Sequence, residues 1–166
     1  ICLSKLSSFA GYLTINISSP NTEGLRDFHD QKELEKLLAG INKIKKEKKI
    51  SKPLVVKLSP DIKDLEISKI IDLIVKYNIN GIIVSNTTDS NRENLLDSQK
   101  NEKGGLSGQP LKDLSTRLIK KFYRETKGKM EIVGVGGVDS GKAAFEKISV
   151  GANAIQLYTG MVYKGP

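Results

Sequence analysis

The sequence predicts an α/β protein with a parallel sheet, and two observations carry this prediction. Short apolar segments alternate with longer amphipathic segments along the chain, and strands that alternate with helices imply parallel pairing with right-handed crossovers. The short segments also read as continuous apolar runs, which is typical of strands buried on both faces. The pattern alone allows either an open five-stranded sheet or a truncated β/α barrel.

The first elements follow from spacing and residue type. Residues 1–9 place apolar side chains near helical spacing, and Tyr12–Ile17 is short, apolar and β-rich, so a strand follows a helix. Gln31–Lys48 carries leucines and isoleucines on one face and is predicted as a helix. Leu54–Leu58 is predicted as a strand opened by a proline, and Asp64–Tyr77 as the next helix.

The second half repeats the alternation. After the strand Gly81–Ser85 comes a long polar stretch, Asn86–Pro110, and a loop of this length is usually functional or mobile. The remaining predicted elements are helix Leu111–Glu125, strand Glu131–Val135, helix Ser140–Ser149 with Asp139 or Ser140 as N-cap, and strand Ala154–Tyr158.

Composition excludes several classes of protein. Apolar residues make up 38% of the 166 residues and charged residues 28%, as in ordinary globular domains. No apolar run is long enough to predict a membrane span, and no secretory signal predicts export. Because Cys2 is the single cysteine, no internal disulfide is possible. One cysteine together with the single histidine, His29, is also too few ligands for a standard zinc site. The net charge of +8 is assigned to solvated helix faces such as Lys43–Lys49, and the scarcity of aromatics argues against nucleic-acid binding.

Polar or glycine residues follow every predicted strand. They are Asn16–Ser19, Lys57, Ser85–Thr87, Gly134–Gly137 and Tyr158–Thr159. In β/α barrels the active site lies at the carboxyl ends of the strands, whereas open sheets gather ligands at one switch point. The distribution therefore favours a β/α (TIM) barrel truncated to roughly its last five β/α units.

Two of these segments each allow a functional and a structural interpretation. The amides and hydroxyls of Asn16–Thr22 suit a small planar polar ligand, but the same residue types form ordinary turns. Lys57 closes a buried strand, so its ammonium faces a cofactor or partner, or extends to the surface.

The glycine-rich segments suggest an anion site. Gly134–Gly137 lies between a strand and a helix, where backbone N–H groups favour a phosphate, although a tight turn alone explains the glycines too. Gly141-Lys142 nearly completes a P-loop, but Ala143 stands where the magnesium-binding hydroxyl belongs. The backbone of Gly104–Gly108 is able to approach a flavin or phosphate closely because glycine lacks Cβ.

Six motifs identify a family by their order. They are Asn16-Ile-Ser-Ser-Pro-Asn-Thr22, Ser85-Asn-Thr-Thr88, Gly104-Gly-Leu-Ser-Gly108, Val133-Gly-Val-Gly-Gly137, Gln156-Leu-Tyr-Thr159 and Lys164-Gly-Pro166. This succession spans essentially the whole chain and resembles the dihydroorotate dehydrogenases. The resemblance implies FMN-dependent oxidation of dihydroorotate to orotate in pyrimidine biosynthesis, with a quinone as acceptor.

The resemblance also implies residue roles. Ser19, the second serine of the pair, is expected to be the base of the quinone-linked class, where the soluble class has cysteine. Substrate is expected to contact Asn16, Asn21, Asn86 and Thr87. FMN is expected to contact Asn16, Lys57, Ser85, Gly108, Gly137, Tyr158 and Thr159, the last three mainly around its phosphate.

The family's organisation implies that residues 1–166 form the C-terminal portion of a barrel domain. The first three strands, the N-terminal helices that dock on the cytoplasmic side of the membrane, and the final helix are then missing. A complementing N-terminal fragment is a candidate partner, and the chain alone is expected to be soluble and cytoplasmic. Two alternatives remain: an inactive remnant of the enzyme, and a tRNA-modifying flavoprotein, which needs a catalytic cysteine closer to the strand ends than Cys2.

Overall fold

A computed structural model of the chain describes residues 1–90 and 92–166. Position 91, which belongs to the predicted polar loop, lies outside the described residues. One parallel sheet contains strands β1 to β5 in sequential order: β1 (Leu13–Asn16), β2 (Leu54–Leu58), β3 (Gly81–Val84), β4 (Glu131–Val135) and β5 (Ala154–Gln156). The α/β class and the parallel sheet predicted from the sequence are confirmed.

Six α-helices accompany the strands in the described residues. They are α1 (Cys2–Leu6), α2 (Gln31–Glu47), α3 (Asp64–Lys76), α4 (Lys112–Glu125), α5 (Gly141–Ser149) and α6 (Thr159–Lys164). Short 3₁₀ turns cover Ser7–Phe9, Leu25–His29 and Gln109–Leu111. The long helices begin and end at identifiable signals: Asp30 accepts the N–H groups of Lys32 (2.9 Å) and Glu33 (3.3 Å) at the start of α2.

Helices α2 and α3 end in the same way. Lys49 and Asn78 adopt left-handed backbone conformations, with φ of 51° each. The following isoleucine N–H then bonds back across the turn, Ile50 to the Lys45 carbonyl (2.9 Å) and Ile79 to that of Ile74 (3.0 Å). These compact endings direct the chain from each helix towards the next strand.

The core lies between the sheet and the helices on its outer face. Strand β3 is buried along its whole length, and β2 is buried except at Lys57. Phe122 and Ile119 of α4, like Ile74 of α3, have no exposed surface. Burying each such side chain contributes about 1.5–3 kcal/mol, so these contacts hold the strand ends in fixed positions.

The sheet is strongly curled. The side-chain amide of Gln156, in edge strand β5, donates to the Tyr12 hydroxyl beside edge strand β1 at 3.1 Å. A flat sheet would separate its first and fifth strands by about 19 Å, since neighbouring strands lie about 4.8 Å apart. The curvature agrees with the predicted barrel rather than with an open sheet.

Several boundaries differ from the predictions. Strand β5 ends at Gln156 rather than Tyr158, because Thr159 already begins α6, and the sequence did not predict this short helix. Strand β1 also ends one residue early, at Asn16. Of the two predicted N-caps for α5 it is Ser140 that serves, accepting the Ala143 N–H at 3.2 Å. No helix in the described residues is both long and apolar enough to cross a membrane.

Candidate active site

A cleft of about 1060 Å³ opens at the carboxyl ends of strands β2 to β5. This volume suits a nucleotide-sized ligand. The cleft is lined by eight of the residues predicted from the sequence to bind cofactor or substrate: Lys57, Ser85, Asn86, Thr87, Gly108, Gly137, Tyr158 and Thr159. The carboxyl ends of four different strands therefore meet at one site, as the barrel prediction requires.

The ends of β1 and β3 are joined by a network of amides and hydroxyls. Asn16 Oδ1 accepts the backbone N–H (3.2 Å) and the hydroxyl (2.9 Å) of Ser18. The Asn86 amide donates to Ser18 Oγ at 3.0 Å and to Asn16 Oδ1 at 3.4 Å. Asn86 Oδ1 in turn accepts the Thr87 N–H at 2.8 Å. The network fixes the orientation of both asparagine side chains before any ligand arrives.

Ser19 lies next to this network and is half-buried. Its Oγ accepts the backbone N–H of Asn21 at 3.2 Å. A donor aimed at this oxygen stabilises negative charge on it, which favours a hydroxyl that passes on its own proton. Asn16, Ser19 and Asn21 do not line the cleft, and Asn16 is connected to it through Asn86.

Arg26 ties the loop that carries Ser19 to two neighbouring loops. Its guanidinium donates to Asp61 at 3.0 Å and to Asp89 at 2.9 Å, and a third donor reaches the Thr87 carbonyl at 3.4 Å. Asp61 also accepts the Thr88 hydroxyl at 2.6 Å. The loops after β1, β2 and β3 are thus joined around one guanidinium.

The glycine-rich segment closes the long loop over the cleft. Thr88 and Leu106 exchange backbone hydrogen bonds of 3.1 and 2.6 Å, which return the segment to the end of β3. A Cβ at Gly105 would lie 2.5 Å from Thr87 Cβ and 3.0 Å from Pro20 Cγ. Glycine is therefore required where this segment packs against the loops after β1 and β3.

Backbone also approaches closely at the end of β4. Gly137 has a φ of 68°, and a Cβ there would lie 2.6 Å from Lys112 Cα at the start of α4. Across the cleft, the hydroxyls of Ser107 and Thr159 are hydrogen-bonded at 2.9 Å. The cleft is lined here by glycine backbone and by two hydroxyls, which are groups that suit a phosphate.

Lys57 supplies a cation to the cleft. Burial lowers the pKa of this lysine below its ordinary value, and among the described residues it forms no ion pair. Lys164 at the rim pairs instead with Asp139 at 3.1 Å. Hydrogen bonds from Gln109 and Lys164 lower the pKa of that carboxyl. Of the two lysines, Lys164 is therefore engaged by Asp139, and Lys57 is free to interact with a ligand.

Sequence analysis missed three contributors. Ser18 was considered only as the neighbour of Ser19, yet it connects the two asparagines. Arg26 was not among the residues predicted for the site, and its partners Asp61 and Asp89 are distant in sequence. Lys147 occupies the buried face of α5 together with Ala143, four residues earlier, and this spacing was the available signal.

Comparisons with known proteins agree with the motifs. The family profile described as "Dihydroorotate dehydrogenase" matches residues 1–166. A protein from Idiomarina loihiensis named dihydroorotate dehydrogenase (quinone) is 43% identical over 169 residues, and one of the same name from Escherichia coli O1:K1 is 41% identical over 172. The chain spans about half the length of these curated relatives, 50% and 51% respectively.

Solved structures give the same result. The crystal structure of DHODH from Eimeria tenella in complex with ferulenol superposes with a TM-score of 0.93 at 35% identity, covering 99% of this chain and 48% of that one. The ligand-free structure from the same organism gives 0.90. The fold is therefore that of about half of a β/α barrel, and the chain belongs to the dihydroorotate dehydrogenase family.

Proposed function

We propose that the chain forms the FMN-holding, base-carrying half of a quinone-linked dihydroorotate dehydrogenase, which oxidises dihydroorotate to orotate in pyrimidine biosynthesis. The observation that carries the proposal is the meeting of strand-end groups at and beside one cleft. Asn86 lines the cleft and bonds to Asn16 and Ser18 next to Ser19, and Gly137 lines the cleft at the end of β4.

The residues present fit FMN. Gly108 and Gly137 line the cleft with bare backbone, and each also packs closely against the protein, since a Cβ would lie 3.2 Å from Thr159 Cγ2 or 2.6 Å from Lys112 Cα. Ser107 and Thr159 add hydroxyls to the same cleft. When bound, FMN would supply the redox chemistry, as the hydride acceptor for C6 of dihydroorotate that a quinone reoxidises, and Lys57 would place its positive charge beside the cofactor.

The chain's own residues perform the proton transfer. Ser19 Oγ takes the proton from C5 of dihydroorotate and passes its own hydroxyl proton to water, while the Asn21 N–H stabilises the negative charge on this oxygen as that proton leaves. The amides of Asn16, Asn21 and Asn86, together with Thr87, hold the ring and its carboxylate. Because hydrogen bonds fix Asn16 and Asn86 beforehand, little ordering is needed when substrate binds.

The test separates cofactor binding from chemistry. FMN is titrated into the protein by fluorescence quenching, and the loaded protein is then mixed anaerobically with dihydroorotate while flavin absorbance is followed. Ser19→Ala is expected to bind FMN normally but to slow flavin bleaching by about 10²-fold or more, the usual contribution of a positioned base.

Ser68→Ala removes an exposed serine from α3 and should bleach like wild type. Failure of the wild-type protein to bind FMN would overturn the proposal for this chain. Equal bleaching by Ser19→Ala and wild type would overturn the role of Ser19 alone. A quinone added after bleaching should restore the absorbance, and its failure to do so would remove the quinone from the proposal.

FMN binding by the wild-type chain without bleaching by dihydroorotate would favour the alternative that the protein is inactive. No observation on the described residues favours the tRNA-modifying alternative, because Cys2 is an exposed residue of α1, away from the cleft.

A further inference from the structure

Lys147 is a lysine with no exposed surface, held on the inner face of α5. Its ammonium donates to the hydroxyls of Ser115 and Thr116, the latter at 3.0 Å, and to the Lys112 carbonyl at 3.4 Å. All three acceptors belong to the first turns of α4. Within residues 1–90 and 92–166 no carboxylate pairs with this ammonium, and Glu146 pairs instead with Lys112. A buried, unpaired cation is costly unless something else compensates it.

The hydrogen bonds around Lys147 have one consistent direction. A lysine ammonium only donates, so Ser115 Oγ accepts from it and keeps its own proton for another acceptor. That oxygen lies 3.2 Å from the carbonyl of Lys112 and 3.2 Å from that of Gly136. The Lys112 carbonyl already receives the Thr116 hydroxyl at 2.8 Å. The Ser115 proton therefore goes to Gly136, giving a chain from Lys147 through Ser115 to the Gly136 carbonyl.

This chain fixes the peptide plane between Gly136 and Gly137. In a trans peptide the C=O and the following N–H point in opposite directions. Because the Gly136 carbonyl points at α4, the Gly137 N–H points away from α4, and both residues line the cleft. In the described part of the chain this N–H has no protein acceptor. It is oriented as a donor for a ligand, and Lys147 holds it there.

We propose that Lys147 is a positioning residue for the phosphate of the flavin nucleotide, acting through Ser115 and the Gly136 carbonyl to aim the Gly137 N–H at that phosphate. The inference rests on the proposed function, because it assumes that FMN occupies the cleft. It explains why a cation is buried behind the glycine turn. A phosphate dianion on the opposite side of the turn compensates the charge that the protein itself leaves unpaired.

The experiment compares two flavins that differ only in the phosphate. FMN and riboflavin are titrated separately by fluorescence quenching into wild type and into Lys147→Met, which replaces the alkyl stem with an unbranched apolar chain one atom shorter and removes the charge. The Kd of the variant for FMN is expected to rise about tenfold or more, the usual loss for hydrogen bonds that involve charged groups. Its Kd for riboflavin should equal that of wild type.

Two further variants keep the test decisive. Lys120→Met removes the same charge from an exposed position on α4 and should leave both flavins unaffected. Ser115→Ala keeps the ammonium but breaks the connection to Gly136, so it should also weaken FMN selectively, even if Lys147→Met fails to fold.

Each outcome has a definite meaning. Selective loss of FMN affinity supports the inference. Equal loss of both flavins, or no loss of either, overturns the role of Lys147 and leaves the proposed function standing. Wild-type protein that binds neither flavin overturns the proposed function, and the inference falls with it.

Discussion

Two lysines, the half-buried Lys57 and the fully buried Lys147, are withdrawn from water to different degrees, and burial lowers the pKa of both. Lys57 faces the cleft, whereas Lys147 lies behind the glycine turn that borders it. Neither forms an ion pair within the described residues. At the scale of single residues, the free protein therefore bears a cost of desolvated positive charge that an anionic ligand removes.

The pKa of Lys147 predicts how stability depends on pH. Burial lowers this pKa to about 8, and the neighbouring charges are Lys112, which lowers it, and Glu146 and Asp113, which raise it. Below about pH 8 both the folded and the unfolded states carry the charge, so the folded state bears the whole cost of burying it. Above the ordinary pKa of lysine both states are neutral and the cost is absent. The contribution of Lys147 to stability therefore increases as pH rises through this window.

The measurement is urea unfolding of the FMN-free protein at several pH values from 7 to 11. The free energy of unfolding of wild type, minus that of Lys147→Met, is expected to rise by up to about 1.4 kcal/mol per pH unit within the window. Lys120→Met, compared in the same way, should show no such rise. A flat difference for Lys147→Met would mean that this lysine is not desolvated in the folded protein.

At the scale of elements, the loops after the strands are joined to one another as well as to the sheet. Arg26 connects the loops after β1, β2 and β3, and the Thr88–Leu106 bridge returns the long loop to β3. The Arg26 side chain is 25% exposed and that of Asp61 20%. Solvent screens the attraction in such a partly buried ion pair less than it does in a surface ion pair. The segment carrying Ser19 depends on these contacts because it contains only a short 3₁₀ turn of its own.

Replacement of Arg26 is expected to loosen that segment. Arg26→Met leaves Asp61 and Asp89 without their shared cation, and the expected loss is about 1–3 kcal/mol of unfolding free energy. Amide hydrogen exchange should accelerate in residues 18–30 more than in the strands. Arg117→Met, from an exposed position on α4, is the matched control. Unchanged exchange in residues 18–30 would show that Arg26 does not hold the loop.

At the scale of the whole molecule, the curled sheet ends in two edge strands, β1 and β5. Their backbone groups have no strand partner on the outer side in the described part of the chain. Several apolar side chains on the nearby segments are also exposed, among them Phe9 at 86% and Tyr163 at 83%. Exposed edges of this kind pair readily with other chains.

Self-association of the 166-residue chain is therefore expected to depend on concentration. Thr14→Lys places a charge on an exposed position of β1 and should shift sedimentation velocity profiles towards the monomer, since edge lysines oppose strand pairing. Thr22→Lys adds the same charge to an exposed loop residue and should sediment like wild type. The prediction that the chain associates through β1 would be contradicted if the wild-type chain stayed monomeric, or if both variants had equal effects.

Much of the fold was predictable because strand and helix periods are local properties. Strands Leu54–Leu58 and Glu131–Val135 have the boundaries that the sequence predicted. Helix α6 was not predicted, since its six residues contain Gly160 and begin without a side-chain cap. The turn Leu25–His29 was also not predicted, because short 3₁₀ segments carry no periodic signal.

The position of the candidate site was predictable from the sequence, but the hydrogen bonds and ion pairs between its residues were not. The clustering of polar residues at strand ends follows from parallel topology, so eight expected residues line the cleft. Partnerships across loops, such as Arg26 with Asp61, depend on tertiary contacts that no local pattern encodes. In α5 the usual expectation is even reversed: Phe145 is 68% exposed while Lys147 is fully buried. A buried cation among alcohols is visible only once α4 is packed beside it.

The sequential strand order has a consequence for how the protein is made. Every strand pairs with the strand that precedes it along the chain, so each new β/α unit leaving the ribosome meets a template that is already complete. This order allows each strand to pair as soon as its own β/α unit has been synthesised. Lys147 becomes available to the glycine turn after β4 only when translation has passed α5.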